Sequence, residues 1–206
     1  MDIDFMLKNI PDKRQYKETT SLQFKRDLIK LFSEMGKDHT VLEVGTNHGH
    51  TTRILSFLFK NVITLDWREE PNLRMAKELN ADRDNITYIE KDVYASSWDD
   101  LNLPKFEVSF IDCNHEYGGV VSDILNCTNY GNSEQYIIFD DYGHPKTGVK
   151  KAIQDTINQN DNFNIVEYIG EPKGSDCRPG LILTDYEGVV CKFLKTETEP
   201  QWWEEK

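Results

Sequence analysis

The groups in this chain with most chemical potential are acids placed where apolar runs end. Val41-Leu42-Glu43-Val44 leads into Gly45-Thr46-Asn47-His48-Gly49-His50-Thr51-Thr52, an acid and two glycines just before a helix-forming segment. Glycine has no side chain to hold a ligand away, so such a turn lets a small charged cofactor lie against bare backbone at the carboxyl end of a strand. The spacing is G-x-x-x-G, whereas dinucleotide binders carry G-x-G-x-x-G and seat a pyrophosphate on the helix N-terminus. Glu43 inside the loop would oppose a pyrophosphate but not a cofactor carrying an ammonium or sulfonium. Asp66 follows Gly45 at about the 20-residue offset where an acid accepts from ribose hydroxyls. Asp92 and Asp112 end the next two apolar runs.

A second constellation lies further along, in Phe110-Ile111-Asp112-Cys113-Asn114-His115-Glu116-Tyr117 and Ile137-Ile138-Phe139-Asp140-Asp141-Tyr142-Gly143. If the two strands are neighbours, their ends lie about 5 Å apart. Asp112, Asp140 and Asp141 would then crowd together, and crowded carboxylates either share a cation or hold protons. Oxygen-only ligands favour Mg²⁺, with Ca²⁺ or Mn²⁺ as alternatives. A hydroxyl bound to such an ion is a stronger acid and its alkoxide a better nucleophile.

The elements that must position these groups alternate. Thr20 and Ser21 can cap a helix with Phe24, Leu28, Leu31, Phe32 and Met35 on one face, ended by Gly36. Strands are expected at 41–44, 62–65, 86–89, 106–111 and 136–139. Between them come helices carrying Ile54, Leu55, Leu58 and Phe59; Leu73, Met75, Ala76 and Leu79; Val121, Ile124 and Leu125; and, last, Val149, Ala152, Ile153 and Ile157. Alternation of this kind argues for a parallel sheet covered on both faces. The end differs: 163–169, 180–183 and 189–194 are strand-like without intervening helices, and Asp185-Tyr186-Glu187-Gly188 suits a hairpin turn. Residues 1–19 read as an arm or lid, 20–195 as one domain, and 196–206 as an acidic tail. Trp202-Trp203 in that tail either dock on the chain's own surface or form a subunit contact in a homo-oligomer.

The glycine loop resembles motif I of the class I S-adenosylmethionine-dependent methyltransferases. That resemblance implies a Rossmann-like α/β sandwich, a mostly parallel seven-stranded sheet with a C-terminal antiparallel hairpin and helices on both faces. It further implies that Glu43, Gly45, Thr46, Asn47, Gly49, Thr51, Asp66, Trp67, Asp92, Val93 and Asp112 contact S-adenosylmethionine, with Asp66 on the ribose and Asp92 near the adenine. I-I-x-D-D-Y-G resembles the metal-dependent sugar O-methyltransferases of the macrocin type. F-I-D-x-x-H-x-Y-x-G-V resembles related small bacterial and phage methyltransferases. Together these resemblances span roughly residues 38–160 and imply Asp112, Asp140 and Asp141 as metal ligands; Asp112 and Asp141, with His115 added from its own chemistry, are the candidate catalytic set. These relatives usually read D-G-D after the fourth strand, where this chain has Asp112-Cys113-Asn114. An amide is no base. His115 can substitute for it, or pack structurally; otherwise the metal alone activates the hydroxyl, or catalysis has been lost. The expected reaction is methyl transfer to a hydroxyl of a small molecule, a sugar or sugar-bearing metabolite. A non-catalytic S-adenosylmethionine-binding protein and an N-methyltransferase stay open as alternatives.

Bulk properties narrow the partners. With 24 Lys plus Arg against 36 Asp plus Glu, the net charge of -12 repels a phosphate backbone. Four dispersed cysteines (Cys113, Cys127, Cys177, Cys191) offer no C-x-x-C zinc pair, though two disulfides stay open. The N-terminus lacks a signal-peptide pattern, and no apolar run nears the ~20 residues of a membrane helix, so a cytoplasmic chain is expected. The other histidines (His48, His50, His144) and the 171–179 loop with Arg178 read as surface or connector.

Overall fold

The computed structural model describes residues 3–8, 10, 20–67, 69–94, 97–178 and 180–196. Seven strands form the main sheet: β1 Thr40–Val44, β2 Asn61–Asp66, β3 Ile86–Glu90, β4 Val108–Ile111, β5 Glu134–Phe139, β6 Phe163–Ile169 and β9 Gly188–Leu194. Their order is β3-β2-β1-β4-β5-β9-β6. The first five run parallel, and β9 lies antiparallel between β5 and β6. Chain order reverses between β1 and β4, the switch point at which open α/β sheets bind ligands. Every residue of β4 is buried, as expected of a central parallel strand covered on both faces.

Register decides where the acids stand. Val44 pairs with Leu65 on one side and Ile111 on the other, and Ile111 pairs with Phe139. The four strands thus finish level, which sets Gly45, Asp66, Asp112 and Asp140 along one edge.

Helices α2 Leu22–Phe32 and α3 His50–Leu58 cover one face, and α5 Tyr117–Tyr130 and α6 Val149–Gln159 the other. On the first face Phe24, Leu28, Ile54 and Leu55 pack on Val41, Phe110 and Ile138; on the second Val120, Ile124, Ala152 and Ile153 pack on Val44, Ile111 and Phe139. Ser21 caps α2: its Oγ accepts from Phe24 N at 3.0 Å and donates to buried Glu187 at 2.5 Å. The short helices α1 Ile3–Leu7 and α4 Arg74–Leu79 complete the frame.

Several sequence expectations need correction. Helix α2 stops at Phe32 and a 3-10 turn holds Met35–Asp38, so Gly36 lies past the helix, where a Cβ would strike Leu58 O. Leu31 and Met75 are exposed, because the inward stripes run through Ile29 and Ala76 instead. In α5 the inward residues are Val120, Asp123, Ile124 and Cys127; Val121 and Leu125 are only half-buried. The segment near 180–183 leaves the main sheet: β8 Leu181–Ile182 pairs with β7 Asp176–Arg178 in a separate ribbon, so the turn before β9 does not join paired strands. Cys113, Cys127 and Cys191 are free thiols, which rules out two disulfides. The tail with Trp202-Trp203, most of the 1–19 arm and the side chain of Arg178 lie outside the described residues. No helix among the described residues is long and apolar enough to cross a membrane.

Candidate functional site

The glycine loop is held by its own neighbours. Gly45 sits at φ +102 and donates to Leu65 O at 2.9 Å; a Cβ there would lie 2.2 Å from Asp112 O. Gly49 sits at φ +77 at the start of α3. Both positions demand glycine for approach and conformation together, since a Cβ at Gly49 would lie 2.7 Å from Ala76 Cβ. Asp66 Oδ2 accepts from Thr46 N at 3.1 Å and Asn47 N at 2.9 Å, so one carboxylate pins the turn of the loop. Asn47, at φ +44, also accepts from Asn72, whose Oδ1 meets His48.

Glu43 does not stand in the loop. It lies in β1, wholly buried, and its Oε2 accepts from Thr52 Oγ1 and Thr64 Oγ1 at 2.6 Å each. Burial pushes its pKa up to about 8, against the pull of those two hydroxyls and with help from the nearby Asp112 and Asp66 charges. Its effect on a cofactor therefore passes through the strand and α3, not through a charge bared to the ligand.

A cleft of about 470 Å³ opens at the switch point, walled by Leu65, Asp66, Trp67, Asp92, Val93, Tyr94, Cys113, Asn114 and His115. Trp67 is half exposed, while Val93 is buried and belongs to the core beneath the cleft. None of Gly45, Thr46, Asn47, Gly49 and Thr51 is in this wall; Asp66 links the loop to it, and Thr51 is buried beside Thr20. Sequence reasoning missed Tyr94 and Cys113. Each follows within two residues of an acid already singled out, Asp92 or Asp112, and that adjacency was the available signal.

Next to the cleft, ligand atoms of Asp112, His115 and Asp141 lie within 4.8 Å of one another, the one such group among the described residues. His115 Nε2 is 3.3 Å from Asp112 Oδ1 and its Nδ1 is 3.1 Å from Asp141 Oδ2. Asp140, expected as a ligand, is buried and outside this group, although its charge still acts on His115. Asp141 has φ +59, in the left-handed region. Such strain in a non-glycine residue points to function.

His115 is held from behind, its carbonyl accepting from Gly148 N at 2.7 Å. Burial works against its charged form, but the Asp112 hydrogen bond and charge, with Asp141 and Asp140, outweigh burial and raise its pKa to about 9. The group thus attracts positive charge. Asn114, also in the cleft wall, has its Oδ1 accept from Glu116 N at 2.9 Å at the start of α5. Its side chain packs so closely on Gly119 that a Cβ there would lie 2.5 Å from Asn114 Cγ.

Residues 42–142 match the model of a family described as a methyltransferase domain. No curated protein sequence matches the chain. Among solved structures, an O-methyltransferase from Bacillus cereus in complex with SAH superposes with TM-score 0.66 at 15% identity, covering 94% of this chain and 90% of that one. The O-methyltransferase TomG from Streptomyces achromogenes, in complex with SAM, gives 0.62 at 14% identity over 94% and 85%. A tRNA methyltransferase from Aquifex aeolicus gives 0.63 at 18% identity over 95% and 77%.

Proposed function

We propose that this chain, whose residues 42–142 match a methyltransferase domain, is a class I enzyme that transfers the methyl group of S-adenosylmethionine to a hydroxyl of a small molecule, a sugar or sugar-bearing metabolite, with help from a divalent cation. The observation that carries this reading is the convergence of Asp112, His115 and Asp141 beside the cleft that Asp66 and Asp92 line. Asp66 would accept from the ribose hydroxyls while holding the glycine loop closed behind them. Asp92 and the Val93 backbone would face the adenine. The reactive sulfonium would then point toward the Asp112 end of the cleft, where negative charge favours it.

Two carboxylates and an imidazole are a donor set that suits Mg²⁺ or Mn²⁺, Mn²⁺ the more readily because of the nitrogen. Asp112, His115 and Asp141 would hold the ion. Bound there, it would supply Lewis-acid activation of the acceptor hydroxyl. In the chain without it, the flanking carboxylates raise the His115 pKa, so the ring holds a proton between Asp112 and Asp141. Asp112 and Asp141 orient that ring from both sides, and the tight Gly148 contact fixes the loop that bears it.

RNA methylases also share the fold, but a net charge of -12 without a basic run disfavours RNA as acceptor. A binding-only role is the second reading, favoured by Asn114 standing where relatives carry a second acid. Calorimetry with S-adenosylmethionine, then labelled-methyl transfer to a panel of polyhydroxylated acceptors with Mn²⁺ or EDTA, separates these readings. Transfer lost with EDTA supports the proposal. A folded sample that binds no S-adenosylmethionine sinks it, and binding without transfer to any acceptor favours the second reading.

A further inference from the structure

Two side chains to which no role has been given meet at the back of the cleft. The Tyr94 hydroxyl donates to Asp123 Oδ2 at 2.7 Å and accepts from Asn114 N at 3.2 Å. The Tyr94 amide donates to Asp92 Oδ1 at 3.0 Å. One residue therefore ties together the loop after β3, the loop after β4 and helix α5. Asp92 is on the adenine side of the cleft, and Asn114 immediately precedes His115.

Asp123 is 0% exposed, and its second oxygen has no hydrogen-bond partner among the described residues. Burial raises the Asp123 carboxyl to about 7, so what it offers the Tyr94 hydroxyl is an acceptor oxygen fixed inside α5, charged or not. That bond holds the tyrosine oxygen where it accepts the Asn114 N–H. We propose that Tyr94 and Asp123 are positioning residues for the cofactor: they lock the Asp92 loop to the Asn114–His115 loop. A ligand seated on Asp92 and Val93 is thereby held in register with Asp112, His115 and Asp141. This rests on the reading of the cleft as the S-adenosylmethionine site.

The test is calorimetry of the full chain with S-adenosylhomocysteine, comparing wild type with Tyr94→Phe, Asp123→Asn and Asp123→Leu. Tyr94→Phe should weaken binding tenfold or more. Asp123→Asn, whose amide oxygen still accepts the hydroxyl hydrogen, should stay within about threefold of wild type, while Asp123→Leu should match Tyr94→Phe. Amide hydrogen exchange at Asn114 should rise in Tyr94→Phe with the β4 amides unchanged, which a general loss of stability would not produce. Equal affinity in wild type and Tyr94→Phe overturns the inference alone, as does loss in Tyr94→Phe with no retention in a folded Asp123→Asn. A wild type that binds no S-adenosylhomocysteine overturns the cofactor reading and this inference together. If Asp123→Leu fails to fold, the Tyr94→Phe and Asp123→Asn pair still decides.

Discussion

His115 Nδ1 lies 3.1 Å from Asp141 Oδ2, so a side chain from the end of β4 reaches the end of β5 and joins the two strand edges across the site. The same ring meets Asp112 through its other nitrogen. That bridge, and not the adjacency of Asp140 and Asp141 in sequence, brings ligand atoms of Asp112, His115 and Asp141 within 4.8 Å of one another.

The first prediction follows directly. Mn²⁺ titration followed by magnetic resonance should show binding that Asp141→Asn and His115→Ala each weaken by tenfold or more. Asp140→Asn should leave affinity within about threefold of wild type, at a cost in stability only. Equal losses in Asp140→Asn and Asp141→Asn would restore the acid pair as the ligand set.

Asp66 does two jobs, bracing Thr46 and Asn47 and facing the cleft. Asp66→Ala should therefore abolish S-adenosylhomocysteine binding, a loss of at least about 3 kcal/mol. Asp66→Asn keeps one oxygen that can accept from both loop amides and should retain weak binding. Calorimetry on both variants, checked for folding by circular dichroism, measures this.

Gly45→Ala should be among the most damaging single changes outside the core. The new Cβ would lie 2.2 Å from Asp112 O at a φ of +102, and the combined strain and clash should cost about 3 kcal/mol or more. Urea unfolding gives the number, and a loss below about 1 kcal/mol would mean that the loop and the β4 end move apart freely.

Glu43 supplies a pH signature. Its carboxyl titrates near 8 in the folded chain against an ordinary value of 4.5. The folded state therefore binds this proton more tightly than the unfolded state. The associated stability is fully present below 4.5 and is lost as pH rises through about 8. Glu43→Gln removes the titration. The variant should match wild type near pH 5 and gain on it progressively toward pH 8.5. Denaturation curves of the two proteins across that range test the sign; a constant difference would show that Glu43 titrates normally.

Much of this site was legible in the sequence because level parallel strands convert a repeated pattern into a shared edge. An apolar run ending in an acid, met at Asp66, Asp92 and Asp112, gives almost the same position in each strand, and the register of Val44 with Leu65 and Ile111 makes those positions neighbours. Side-chain direction at the edge is another matter. Which side-chain atoms at that edge meet, as His115 meets Asp112 and Asp141, is not encoded in any periodicity, and neither is the left-handed φ at Asp141. Asp123 was hidden differently. It falls on the inward stripe of α5 with Val120, Ile124 and Cys127, at the i, i+3, i+4, i+7 spacing that marks a core face, but a carboxylate among them reads as surface. Glu43 reads as loop because it touches the glycines in sequence, though the sheet claims it.

On the proposed reading, in which Asp141 helps to hold the cation, its left-handed backbone sets stability against activity at one position. Glycine or asparagine would occupy that conformation with less strain, and either would remove the carboxylate that faces His115. A laboratory selection for thermal tolerance alone would therefore drift toward sturdier chains with an empty chemistry, and an aspartate retained at this position under such pressure would itself mark a chain that is still being asked to work.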